Sequence, residues 1–135
     1  MLIAIPEWNG RISPVYDEAR YFRIFEVEAG RIISEKGLSF KNEEIYMRME
    51  EFLRLRVDTI ICGAISHYQQ SLAEMNGIRI ISFIAGEVDE VLSEWISGNW
   101  QKSSYYMPGC RRRKRMNERG HRQRCGRSGK NRNQY

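Results

Sequence analysis

The sequence is poor in residues that would staple or stiffen it, with three cysteines and three prolines among 135 residues. So few thiols, odd in number, argue against a disulfide scaffold, and Cys62, Cys110 and Cys125 read as reduced. No apolar run reaches the roughly 20 residues that cross a bilayer, so no membrane association is expected. The opening MLIAIPEWNG lacks the length and the charged start of a secretory signal, and a cytoplasmic protein is expected. Negative charge is almost missing from the end of the chain: residues 101–135 hold twelve Lys or Arg against Glu118 alone, a formal +11. The remaining ten basic and sixteen acidic residues leave residues 1–100 at −6. A hydrophobic content of 41% fills one core. These numbers imply one folded domain over residues 1–100, which the periods below make α/β, and a basic, disordered C-terminal tail over residues 101–135.

The body switches between strand and helix periods. Leu2 to Pro6 is an apolar run without alternation, as in a strand covered on both faces, and Asn9-Gly10 is a turn signal beyond it. Residues 11–20 show no period and read as a loop. Tyr21 to Glu28 and the segment from Arg31 read as two antiparallel arms about Ala29-Gly30. Asn42 is placed to cap a helix with Ile45, Met49, Phe52 and Leu53 inward. Val57 to Cys62 reads as a strand, and Ser66 with Gln69 as a capping box. The helix that follows is expected to turn Leu72 and Met75 inward and stop at Asn76-Gly77. Ile78 to Ile84 reads as another strand, and a last helix runs from about Glu87 to Ser97. The expected fold is a mixed five-stranded sheet flanked by helices, with suggested order 3-2-1-4-5.

That order sets the C-terminal ends of strands 1 and 4 side by side, where an open α/β sheet usually binds its ligand. Trp8, Asn9 and Gly10 leave strand 1, and Cys62, Gly63 and Ser66, followed by His67, leave strand 4. A thiol, a glycine that permits close approach and a helix start with unpaired N–H groups form a cradle for an anionic metal–sulfur species. Plainer readings stand beside this one: Cys62 as a small buried hydrophobe, His67 as a solvent-facing residue, Trp8 as a cover on the sheet end.

Gly63, Gly77 and Gly86 have neither dinucleotide-binding nor P-loop spacing, and Ser66 beside His67 makes no nucleophile triad. Glu7 and Asp17 fall near one end of the sheet and Asp58 at the other, which weakens a two-metal nuclease. In the tail, Arg111 to Arg115 are five consecutive cations that attract phosphate without reading bases. Nucleic acid or another polyanion is therefore a candidate partner through residues 111–132. Cys110, His121 and Cys125 form C-x10-H-x3-C, a soft donor set for zinc or a cluster. It is one ligand short of a tetrahedral site unless Cys62, His67 or a second subunit supplies the fourth, and a chance arrangement is the plain alternative.

The segments IAIPEWNGRISPVYDEARYFRIFEVEAGRI, VDTIICGAIS, NGIRIISFIAGEVDEVLSEWISG and MPGC, in this order, resemble the dinitrogenase iron-molybdenum cofactor biosynthesis domain. That domain occurs in NifX-type proteins and at the C-terminus of some NifB proteins, and the resemblance covers about residues 1–110. It implies a ribonuclease-H-like fold and a role that is not enzymatic. The implied function is to bind or carry an anionic metal–sulfur cluster or an iron-molybdenum-type cofactor precursor. Its cargo would be an iron-sulfur or molybdenum-containing cluster, and its partner a cofactor-assembly or acceptor protein. Many relatives carry His-Phe-Gly after strand 1. Here Val15 stands at the His position, Tyr16 keeps the aromatic character and Asp17 stands at the Gly position, so no histidine ligand carries over. The Cys62-Gly63-Ala64 loop resembles the family's second pocket loop. The alternative function is a nucleic-acid or polyanion-binding accessory protein that acts through its basic tail.

Overall fold

The computed structural model describes residues 1–98 together with Tyr105 and Met107. The expected disorder of the tail, and Cys110, His121 and Cys125 with it, lie outside the described residues.

A mixed sheet forms the centre of the fold. Its strands are β1 (Leu2–Trp8), β2 (Arg11–Ile12), β3 (Tyr21–Glu28), β4 (Arg31–Ser39), β5 (Thr59–Ile61) and β6 (Arg79–Ile81). They lie in the order β4-β3-β1-β5-β6, with β2 paired to β1 off this path. β1 is antiparallel to β3 and parallel to β5, and β5 is parallel to β6. Among the described residues three α-helices accompany it: α1 (Arg48–Leu55), α2 (His67–Met75) and α3 (Val88–Ser97).

The apolar run of β1 serves both faces. Ala4 packs with Phe22, Ile24 and Ile60 beneath α1 and α2, while Ile3 and Ile5 pack with Phe25, Ile61 and Ile81 beneath α3. Adjacent strand residues point to opposite faces, so an unbroken hydrophobic run is what a strand needs when helices cover it on both sides. On the α1 side Phe22 packs edge-on against Phe40 and Phe52, at centroid separations of 6.0 and 5.0 Å.

The structure corrects several expectations. The sheet has six strands, because β1 runs through Pro6 to Trp8 and the chain returns at once as β2, with Glu7 opposite Ile12 and Trp8 opposite Arg11. Asn9 and Gly10 take φ of 54° and 80°, the left-handed pair of a two-residue hairpin turn. Asn42 does not cap an α-helix. It opens a 3-10 stretch, Asn42–Met47, in which the Lys41 N–H donates to the Glu44 carboxylate at 2.8 Å. α1 then begins only at Arg48, and its buried side is Arg48, Met49 and Phe52, whereas Leu53 is exposed. In α2 the inward residue is Ala73, with Leu72 beside it, and Met75 is 82% exposed. A residue two positions on from Ala73 lies about 200° round the helix, which carries Met75 to the solvent side.

Candidate functional site

The C-terminal ends of β1, β5 and β6 are tied together by backbone hydrogen bonds between their loops. The Ile12 N–H donates to Gly86 O at 2.9 Å and the Val88 N–H to Gly10 O at 3.0 Å, which joins the first hairpin to the start of α3. The Tyr16 N–H donates to Ala64 O and the Ala64 N–H to Pro14 O, each at 2.8 Å, which lays the 13–16 segment along the end of β5. The Phe83 N–H donates to Gly63 O at 2.9 Å. Beyond α3 the chain comes back to this end, where the Met107 N–H donates to Phe83 O at 2.8 Å and the Ala85 N–H to Tyr105 O at 2.7 Å.

The two loops singled out in the sequence meet here but stand differently. Trp8, Asn9 and Gly10 are exposed, and Trp8 keeps 65% of its surface in solvent. They can touch a ligand. Cys62 is fully buried in the same core cluster as Tyr16, Phe22 and Ile65. Burial, with the nearby Asp17 carboxylate adding to it, pushes its thiol far above the ordinary range and favours the neutral form. As a candidate ligand Cys62 therefore lies within the core and not at an open face.

Gly63 permits a close approach, but of the protein's own backbone. A Cβ at this position would lie 2.6 Å from Pro14 O and 2.7 Å from Ser13 O. The start of α2 is likewise occupied. The Ser66 hydroxyl accepts from the Gln69 N–H at 3.2 Å, the cap expected from the sequence, and the Ser66 N–H donates to the Asp17 carboxylate at 2.9 Å. The positive end of the helix dipole thus already holds a carboxylate from the chain itself. His67 and Tyr68 are exposed just beyond it. Among the described residues, no group of three or more His, Cys, Asp or Glu is placed to hold a metal ion.

Arg48 is the residue that sequence reasoning missed. It is 2% exposed, and its guanidinium donates to the carbonyls of Tyr16 and Ala19, each at 2.7 Å, and of Asp17 at 3.3 Å. Its Cζ sits 4.5 Å from the centroid of the Tyr16 ring. A signal was present: Arg48 falls three residues after Ile45 and four before Phe52, on the apolar face. Tyr16 is itself buried, and desolvation pushes its phenol up to about 12, against a smaller lowering by Arg48.

The family profile described as dinitrogenase iron-molybdenum cofactor matches residues 1–98. The chain belongs to this family. No curated protein matches the sequence. Among solved structures, the crystal structure of PH0822 superposes with a TM-score of 0.68 at 18% identity, covering 73% of this chain and 90% of that one. The crystal structure of a proposed dinitrogenase from Methanocaldococcus jannaschii gives 0.63 at 24% identity, covering 78% and 96%. The solution structure of a proposed NifB protein from Thermotoga gives 0.55 at 15% identity, covering 78% and 96%. At these identities the structural matches speak for the fold, and the family profile speaks for a place in iron-molybdenum cofactor biosynthesis. No helix among the described residues is long and apolar enough to cross a membrane.

Proposed function

We propose that this is a NifX-type, ribonuclease-H-like carrier, not an enzyme, which binds an anionic iron-sulfur or molybdenum-containing metal–sulfur cluster at the joined loop ends and passes it to an acceptor protein. The observation that carries this reading is the return of the chain after α3. Met107 is bonded to Phe83, and Phe83 to Gly63, so the peptide leading into the Cys-bearing basic segment departs from this end of the sheet. Cys110 follows three residues later, a span of at most about 11 Å.

The body offers contact surface without much counter-charge: Asp17 fills the start of α2, and Asp89 and Glu90 stand in the first turn of α3. The eleven net positive charges of residues 101–135 supply what an anionic cargo needs. On this reading Trp8, Asn9, Gly10 and Ser66 line the cargo. Cys110 provides the thiolate, with His121 and Cys125 as further donors, and neighbouring arginines hold the thiols ionised. The domain would end near residue 100, and the protein would work in the cytoplasm beside cofactor-assembly partners.

Anaerobic reconstitution with iron–sulfur and molybdenum–sulfur donors tests the reading. Folded wild type should take up metal and sulfide, and Cys110→Ser should lose most of it. A wild type that stays colourless and metal-free under all donors overturns the proposal. The second reading, polyanion binding through residues 111–132, is favoured by the +11 tail beside the −6 body. It predicts nucleic-acid binding that weakens steeply with salt and ignores base sequence.

A further inference from the structure

A cation buried in an apolar core is costly unless an anion or several hydrogen bonds meet it, and a hydrophobic residue of similar volume often packs there at less cost. Arg48 has no ion pair with a carboxylate among the described residues, and its Nε is buried without a hydrogen-bond partner. Packing therefore does not account for a guanidinium here. What a guanidinium adds is a flat, rigid fork able to serve several acceptors at once. Its acceptors are three carbonyls of a single turn, Tyr16, Asp17 and Ala19, reached from a residue 29 to 32 positions later in the chain.

We propose that Arg48 is a positioning residue: it clamps the Tyr16–Glu18 turn so that the Asp17 carboxylate is delivered to the Ser66 N–H at the start of α2. The Tyr16 N–H to Ala64 O bond and the buried Tyr16 ring anchor the start of this turn, and Arg48 bonds the carbonyls that follow, of Asp17 and Ala19. Val15 at its N-terminal end makes no side-chain cap, and the Ala19 N–H reaches Tyr16 O at 3.0 Å, the same carbonyl that Arg48 grips. The path runs from α1 through three carbonyls to one carboxylate and on to the first amide of the loop end of the sheet. The Asp17 carboxylate at that end is thus placed from inside the core. The functional weight of the inference rests on this end being the binding end, as proposed above, but the clamp itself is tested without any cargo.

Amide hydrogen exchange in the full-length protein reads the clamp directly. In Arg48→Met, which keeps the length and removes the fork, the Ser66 and Ala19 amides should exchange at least about tenfold faster relative to the Ile60 and Ile61 amides of β5. Arg48→Lys should fall between Arg48→Met and wild type. Asp17→Asn should speed Ser66 without loosening Ala19, which separates the carboxylate from the clamp. A uniform acceleration across turn and sheet would mark Arg48 as general core packing and overturn the proposal, as would folded Arg48→Met with both amides unchanged. If Arg48→Met does not fold, Arg48→Lys decides by the same criterion, selective acceleration at Ser66 and Ala19 against uniform or none. Failure of wild type to take up metal–sulfur cargo would sink the carrier reading and leave this measurement standing.

Discussion

Two loops leave the same end of the sheet, one after β1 and one after β5, and they differ in what lies over them. Trp8, Asn9 and Gly10 form the tip of a hairpin that stays exposed among the described residues. Cys62 and Gly63 follow a strand whose end the 13–16 segment crosses at backbone contact distance, and both residues are buried. A small residue in a loop thus has two opposite uses. At Gly10 the missing Cβ permits a positive φ, and at Gly63 it makes room for a neighbouring chain.

The largest expected effect is at Gly63. A valine there meets the Ser13 and Pro14 carbonyls, which cannot yield as a flexible side chain would, and should destabilise by more than about 3 kcal/mol. Denaturant unfolding would read this, and a near-neutral Gly63→Val would mean that the segment above is loose and the pocket open.

Next is the pH dependence of Tyr16. Its phenol ionises near 10 when unfolded and is pushed up to about 12 in the fold. The folded state therefore favours the neutral form, and the stabilisation is complete below pH 10 and lost as pH rises towards 12. The drop attributable to this residue is roughly 2 to 3 kcal/mol. It should vanish from the unfolding curves of Tyr16→Phe between pH 9 and 12, and an identical decline in both proteins would place the phenol in solvent.

Cys62→Ser puts a hydroxyl where burial is complete, at a cost of about 1–3 kcal/mol. Metal–sulfur uptake per folded chain should stay at the wild-type level, and a selective loss of uptake would mark Cys62 as a ligand. Gly10→Ala, at φ of 80°, should cost about 1 kcal/mol through local strain alone. The smallest stability effect belongs to Trp8→Ala, within about 0.5 kcal/mol for so exposed a side chain. Several-fold weaker cargo uptake with unchanged thermal unfolding would mark Trp8 as a contact residue, and unchanged uptake would reduce it to a surface aromatic.

Much of the architecture could be read before any coordinates. The two-sided apolar run of Leu2 to Pro6, the hairpin about Ala29-Gly30, the Ser66 cap and the last helix from about Glu87 are each decided within a few residues, by periods and turn chemistry that act locally. The same local rules failed where two readings compete at short range. The apolar run ends at Pro6, yet β1 continues through it to Trp8, with Pro6 opposite Phe22 of β3. Arg48 was passed over because arginine on a helix is ordinarily solvated, and only the turn folded against it explains its burial.

The site was less legible than the fold for the same reason. Residue types and their order determined that a thiol, a glycine and a helix start would follow β5, and that cations would dominate the end of the chain. Tertiary structure decided the rest. Ser13 and Pro14, about fifty residues earlier, took the space beside Gly63, and Asp17 took the amide at Ser66. Burial and electrostatic neighbourhood depend on which distant segments come to lie against a residue, and those contacts are set by the packing of the whole domain.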